Sequence, residues 1–190
     1  MVPADRANAA PRVPATASAI VDLLNTRPHA DGLAPEMLQD PVVAEATLRP
    51  FGQPDGTAPT PERIAEVSRL RTTLMALVSA PDSPEAASAW ADLDKQASSV
   101  TLRQEFSPSG KVRLQPADGD PVIGGITLAV AELLAAGTWS RIRVCDNEAC
   151  HHVFYDTTRS RTQRWHSYES CGNRNNVAAY RARKKTESEG

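Results

Sequence analysis

Long apolar runs are missing from this chain. The longest, Ile126 to Gly137, is interrupted by Glu132 and falls far short of the roughly 20 residues a membrane-spanning helix needs, so no membrane role is expected. The first residues, Met-Val-Pro-Ala-Asp-Arg-Ala-Asn-Ala-Ala-Pro, lack the apolar core of a secretory signal and read as a frayed tail. Cysteine is scarce: there are three, an odd number, all in the C-terminal quarter. That argues against a disulfide framework and for a reduced, cytoplasmic compartment, with metal ligation as the default role. No glycine-rich phosphate loop, nucleophile elbow or paired catalytic carboxylates are present, so the expectation is that the chain is not an enzyme. There is also no internal repeat of useful length.

What is present is enough for one ordinary core and a small appendage: 190 residues, 41% of them hydrophobic. The net charge is only −2, but it is unevenly placed. Residues 1–139 hold eleven basic against seventeen acidic side chains, whereas 140–185 hold ten against four. The C-terminal quarter is a basic island.

Before residue 98 the punctuation is helical. Ala15 to Leu24 carries Ile20, Val21 and Leu24 at helical spacing, and Asn25-Thr26 followed by Pro28 stops it. Four sites repeat one signature, a capping residue followed by proline: Asp40-Pro41, Thr60-Pro61, Ser83-Pro84 and Asp120-Pro121. Proline is tolerated there because the first helical N–H has no partner in the helix. After Thr60, the residues Ile64, Val67, Leu70, Leu74, Leu77 and Val78 trace one face. The helix after Ser83 is expected to bury Trp90 and Leu93. The helix from Pro121 to about Ala136 ends at Gly137, a candidate left-handed stop.

Near residues 98–116 the period falls to two. Val100, Leu102 and Phe106 alternate with Thr101, Arg103 and Glu105; Ser107-Pro108-Ser109-Gly110 turns the chain, and Val112 and Leu114 alternate again. This is a β-hairpin.

The basic island contains Cys145, Cys150, His166 and Cys171, spaced C-x4-C, fifteen residues, then H-x4-C. Structural zinc takes four sulfur or nitrogen donors, commonly as two local pairs. Each pair closes a short loop at little entropic cost, and the metal then fixes the long loop between them. The segment's core material is almost confined to Val153, Phe154, Tyr155, Trp165 and Tyr180, so without metal it is expected to be largely unfolded. His151 and His152 directly follow Cys150 and are alternative nitrogen donors. His166 is preferred because its spacing to Cys171 mirrors that of Cys145 to Cys150.

Cys171-Gly172-Asn173-Arg174, preceded by Arg164-Trp165 and by the Cys145/Cys150 pair with Phe154-Tyr155-Asp156 following it, resembles the CGNR zinc-finger family over roughly residues 139–184. Family members carry this finger behind a helical domain called ABATE-like, whose first helix ends in Asn-Thr, as Asn25-Thr26 does here. The resemblance implies one structural zinc ion and a protein that regulates transcription, in bacterial stress responses. One departure stands out. Where the family pattern has cysteine after the tryptophan, this chain has His166, which leaves a zinc site with one net negative charge instead of two. Proton competition at mildly acidic pH is then expected to matter more.

With a last helix starting near Gly172, Arg174, Arg181 and Lys185 form one stripe at about 100° per residue. Arg183 and Lys184 broaden it, and Arg159, Arg161 and Arg164 add charge from the loop between the ligand pairs. Arginine's planar fork suits phosphate oxygens, so nucleic acid, DNA in preference, is the expected partner. Arg164 has two competing engagements, stacking on Trp165 and pairing with Asp156, and the acidic N-terminal part is itself a candidate partner for the basic finger.

The expected architecture is therefore mainly α with a small β-hairpin (α+β). A helical domain spans 1–138, and a treble-clef-like zinc finger ending in a basic helix spans 139–186, with 187–190 as a tail. Two functions compete: a DNA-binding transcription regulator, and a protein-interaction or small-ligand-sensing module in which zinc is purely structural. In either, the N-terminal part serves as sensor, protein-partner surface or homo-oligomerisation unit.

Overall fold

The computed structural model describes residues 13–28, 35–173, 176–177 and 184. Five helices and two small antiparallel hairpins make up the described fold: α1 (Ala15–Leu24), α2 (Pro41–Leu48), α3 (Pro61–Ser79), α4 (Pro84–Ala97), β1 (Thr101–Phe106), β2 (Val112–Asp118), α5 (Pro121–Ala135), β3 (Ile142–Val144) and β4 (Val153–Tyr155). The α+β class expected from the sequence is the one found. None of the described helices is long and apolar enough to cross a membrane.

All four cap-proline signatures start helices. Asp40 Oδ1 accepts from the amides of Val42 and Val43 at 2.8 and 3.2 Å, and Asp120 Oδ1 does the same for Val122 and Ile123. Thr60 and Ser83 each accept from the third helical amide at 3.3 Å. Each cap satisfies donors that the first turn leaves without a partner. At the other end of α5, Gly137 takes φ +63°, with Thr138 N donating to Leu133 O and Gly137 N to Leu134 O. This is the paired-bond stop that glycine favours.

The core lies where α1, α3 and α5 meet. Ile20, Leu23 and Leu24, then Val67, Leu70, Leu74 and Leu77, then Val122, Ile126 and Val130 are all essentially inaccessible. Ile64 sits at the rim of this core, half-buried. α4 lies outside α3 and buries Ala86, Ala89 and Leu93. Trp90, expected to be buried, is 38% exposed. The small alanines form the contact stripe, and the large ring falls on its flank, next to Leu93 and Leu134 at the α4–α5 groove.

The β1–β2 hairpin also departs from expectation in its burial. Its register pairs Leu102 with Pro116, Gln104 with Leu114 and Phe106 with Val112, so the alternation does assemble an apolar face. Yet every residue of β1 is exposed, Phe106 to 70%. The base of the hairpin packs closely on α5 at Pro116, where Gly124 leaves it room.

An ion pair with a buried arginine ties α3 to the segment that follows α1. Arg71, 5% exposed, donates from Nη1 to Thr26 Oγ1 and Glu36 Oε1, both at 2.7 Å, and from Nη2 to Glu36 Oε2 at 2.5 Å. The two-point bond to Arg71 holds the Glu36 carboxyl below the usual carboxylate range, against the opposing effect of burial. A depressed folded-state pKa contributes stability that is present in full above the ordinary value of about 4.3 and is lost as pH falls through the folded value. Glu36→Gln, which leaves the Arg71 charge without its counter-ion, is expected to cost about 1–3 kcal/mol at pH 7. Urea denaturation from pH 7 to 3 should show the gap between wild type and variant closing toward the acid end. Parallel curves at every pH would rule the account out.

Candidate metal centre

The β3–β4 hairpin builds the site by dividing its two faces. The register pairs Ile142 with Tyr155, Arg143 with Phe154 and Val144 with Val153. Period-two alternation then sends Ile142, Val144, Val153 and Tyr155 into the helical core, while Phe154 packs on the other side with Cys145, Cys150, Cys171 and Trp165. The segment is thus anchored on α1 and α3 through one face and on the cysteine cluster through the other. The expectation that the segment is largely unfolded without metal rests on its sparse apolar residues alone, whereas four of them join the helical core.

Cys145 leaves β3 with its amide donating to His152 O at 2.8 Å. Between the strands Asn147 shapes the turn: its carbonyl accepts from Cys150 N at 2.8 Å and His151 N at 3.2 Å, and its side chain accepts from Ala149 N at 3.1 Å. His166 arrives on the loop after β4. Cys171 lies in a short π-helical turn, Tyr168–Gly172, started by Ser167, whose Oγ accepts from Ser170 N at 3.2 Å.

The ligand atoms of Cys145, Cys150, His166 and Cys171 all lie within 4.8 Å of one another. Around a tetrahedral zinc with bonds of about 2.0–2.3 Å, donor atoms sit about 3.5–3.8 Å apart. Cys150 Sγ and His166 Nδ1 are 3.5 Å apart. The three sulfurs and the imidazole of His166 therefore fit one zinc ion, and the ligand set is the one expected from the sequence. His151 and His152 are outside it. The His152 ring packs against that of His166, centroids 4.7 Å apart, and its Nε2 lies 3.3 Å from Asn25 Nδ2; His151 is exposed.

Burial and the neighbouring ligands shift three of the donor groups from their ordinary values. Burial, then the neighbouring Cys171 and Cys145, push the Cys150 thiol up to about 11. For Cys171 burial acts in the same sense, but hydrogen bonds from Asn147, Cys150, Cys145 and Ser170 outweigh it and hold the thiol below its ordinary value. Burial also lowers the His166 imidazole, favouring the neutral form that ligates metal.

Three residues outside the ligand set organise the surroundings. Asn25, expected as a helix stop and as part of the Asn-Thr end of the first helix, accepts from Val153 N at 2.8 Å and donates to Val153 O at 2.9 Å. Its side-chain amide occupies the open edge of β4 as a third strand would. Arg27 follows it and donates to Leu24 O at 2.7 Å and to the carbonyl of His151. Asp156, fully buried, fixes the loop that delivers His166: its carboxylate accepts from Thr158 N, Thr158 Oγ1 and Gln163 N at 2.8, 2.5 and 3.0 Å. Burial would raise this carboxyl, but those bonds and Arg143, 3.6 Å away, hold it down. A local signal for Asp156 exists in Asp-x-Thr, a turn-forming pair. Asn25 has none, because its partner is 128 residues away.

Arg159, Arg161 and Lys184 are exposed. Arg164 is exposed too, but it pairs with Asp146 at 2.7 Å and lies over the Trp165 ring at 5.1 Å; its expected alternative partner, Asp156, is taken by Arg143. Arg174, Arg181, Arg183, Lys185 and Tyr180 lie outside the described residues. Gly172 leaves room for the rings: a Cβ there would stand 2.8 Å from Tyr168 Cδ2 and 3.2 Å from Trp165 Cε3.

Residues 141–184 match the family model of the CGNR zinc finger. No curated protein matches the chain.

Chelating the zinc is expected to speed amide exchange at Gln163, Cys171 and Gly172 while Val153, bonded to Asn25, and Asp156, bonded to Arg141 O, stay protected beside the helical core. Uniform loss of protection across 142–172 would contradict the two-anchor account. Separately, Asn25→Ala strands the N–H and C=O of a fully buried Val153 and is expected to cost about 1–3 kcal/mol. Thermal melts of the zinc-loaded protein read this loss, and an unchanged melting temperature would refute it.

Proposed function

We propose that this protein binds the phosphate backbone of nucleic acid, DNA in preference, and regulates transcription in the cytoplasm, with zinc holding the reading surface in shape. The observation that carries the proposal is the loop 157–165. It presents Arg159 and Arg161 to solvent, while both its ends are immobilised, one by buried Asp156 and the other by His166 of the metal cluster. A cation displayed on a rigid loop binds phosphate with less ordering entropy than one on a free chain. The Arg143 loop contact reinforces this, since Nη1 also donates to Arg161 O at 3.1 Å.

The ion pairs within each segment favour an external partner over an internal one. Arg143 and Arg164 pair with Asp156 and Asp146 of their own segment, and Arg49, Arg63, Arg69 and Arg71 pair with acids of the helical part. The acidic helical part, which we assign to the ABATE-like type on the strength of Asn25-Thr26, then serves as sensor or assembly unit. With four protein ligands on the metal no position is left for a substrate water, so the proposed function is not catalytic.

Binding to a 20-base-pair duplex, followed by fluorescence anisotropy from 50 to 300 mM salt, is expected to weaken steeply. Arg159→Ala with Arg161→Ala should flatten the log–log slope by about 2, roughly one unit per lost phosphate contact. Retained zinc and fold with no duplex affinity at the lowest salt would instead favour the second function, an interaction or ligand-sensing module stapled by zinc.

A further inference from the structure

We propose that the outer edge of β1 pairs with the same edge of a second copy of this chain, giving a twofold dimer through a four-stranded antiparallel sheet, β2–β1–β1–β2. Among the described residues this sheet has two strands, and β1 is exposed along its whole length. A two-stranded ribbon is marginal by itself, and an open edge with unpaired amides and carbonyls is a template for another strand. Beyond the irregularity at Thr101/Leu102, the segment Leu102–Phe106 keeps a regular ladder with β2. β2 offers a poorer edge, because Pro116 has no N–H and packs on α5 at Gly124.

The sequence Leu102-Arg103-Gln104-Glu105-Phe106 is complementary to itself when read antiparallel. Centred on Gln104, a twofold axis places Gln104 opposite Gln104, each Arg103 opposite the other copy's Glu105, and each Leu102 opposite the other copy's Phe106. Both charge pairs fall on one face and both apolar pairs on the other. A shift by one residue would set Arg103 against Gln104 or Phe106, so the charges define the register. The apolar pairs cover side chains that a single copy leaves in water, Leu102 at 40% and Phe106 at 70% exposure. Exposed ion pairs add little affinity by themselves; backbone bonds and the apolar pairs supply it, and the interface belongs to the small, weak class.

Within one copy Arg103 faces Gln115, whereas Glu105 faces Arg113. Arg103→Glu therefore leaves the hairpin's own pairs undisturbed while setting glutamate against Glu105 twice across the dimer axis. Sedimentation velocity of the zinc-loaded full chain, from about 5 to 500 µM, is expected to show a concentration-dependent dimer for wild type. Dissociation constants should rise at least about tenfold for Arg103→Glu and for Glu105→Arg taken singly. An equimolar mixture of the two variants should dimerise again, since both cross-axis pairs are then attractive. Gln104→Pro, which removes the central amide without touching a charge, should abolish association, and circular dichroism would confirm that each variant is folded. A wild type that stays monomeric, folded variants that associate as wild type does, or a mixture of folded variants that stays monomeric would each overturn the proposal. Duplex affinity is measured independently, so this interface can fail without the phosphate-binding function failing.

Discussion

Three sulfurs and an imidazole nitrogen within 4.8 Å of one another cannot all carry their ligating charge states in the absence of a cation. The protein resolves this by placing the group where a dication fits, between an apolar hairpin face and a short turn. Phe154 and Trp165 shield the cluster, which lowers the local dielectric and strengthens every charge interaction in it. Most of the finger's geometry follows from that choice. The Asn147 turn presents two of the donors, and the Asp156-pinned loop and the Ser167-started turn deliver the others.

The metal is nonetheless only one of two fasteners. The opposite face of the same hairpin is apolar and completes the helical core, and Asn25 supplies the hydrogen bonds that the edge of β4 would otherwise lack. The amide of a single side chain, carrying an NH2 donor beside a C=O acceptor, matches a strand edge's C=O and N–H. Arg27 lies beside this seam, shifted down by burial and by the nearby Arg71, with Cys150 acting in the opposite sense. Helical core and metal cluster are therefore joined through the segment that follows α1, by Asn25 at the β4 edge and Arg27 at the His151 carbonyl.

What the sequence disclosed and what it concealed divide along a physical line. Helix starts depend on a cap and a proline next to each other, so Asp40, Thr60, Ser83 and Asp120 could be read directly. The ligands were legible because zinc imposes residue type and spacing. Trp90 was misplaced because periodicity says which residues share a face but not how wide the contact stripe is, and alanines at 86 and 89 narrow it. Asn25, Arg71 with Glu36, and Arg143 with Asp156 were invisible as pairs, since polar contacts across the fold leave no periodic trace. His166 against His151 and His152 was settled only by coordinates.

The two hairpins show what alternation leaves unsaid. Both have a period of two and an apolar face, but β3–β4 is covered on both sides and has its β4 edge closed by Asn25, whereas β1–β2 touches α5 mainly at its base. A strand's pattern specifies a face that water should not reach, and says nothing about whether the cover comes from the same chain. For β4 the cover is local to this fold. For β1 the chain instead supplies a row of alternating charge, Arg103 and Glu105, beside exposed Leu102 and Phe106. A defence against unwanted pairing is more effectively built from charges of one sign, which repel every register. Opposite signs two residues apart repel some registers and attract one, and that is the arrangement found here.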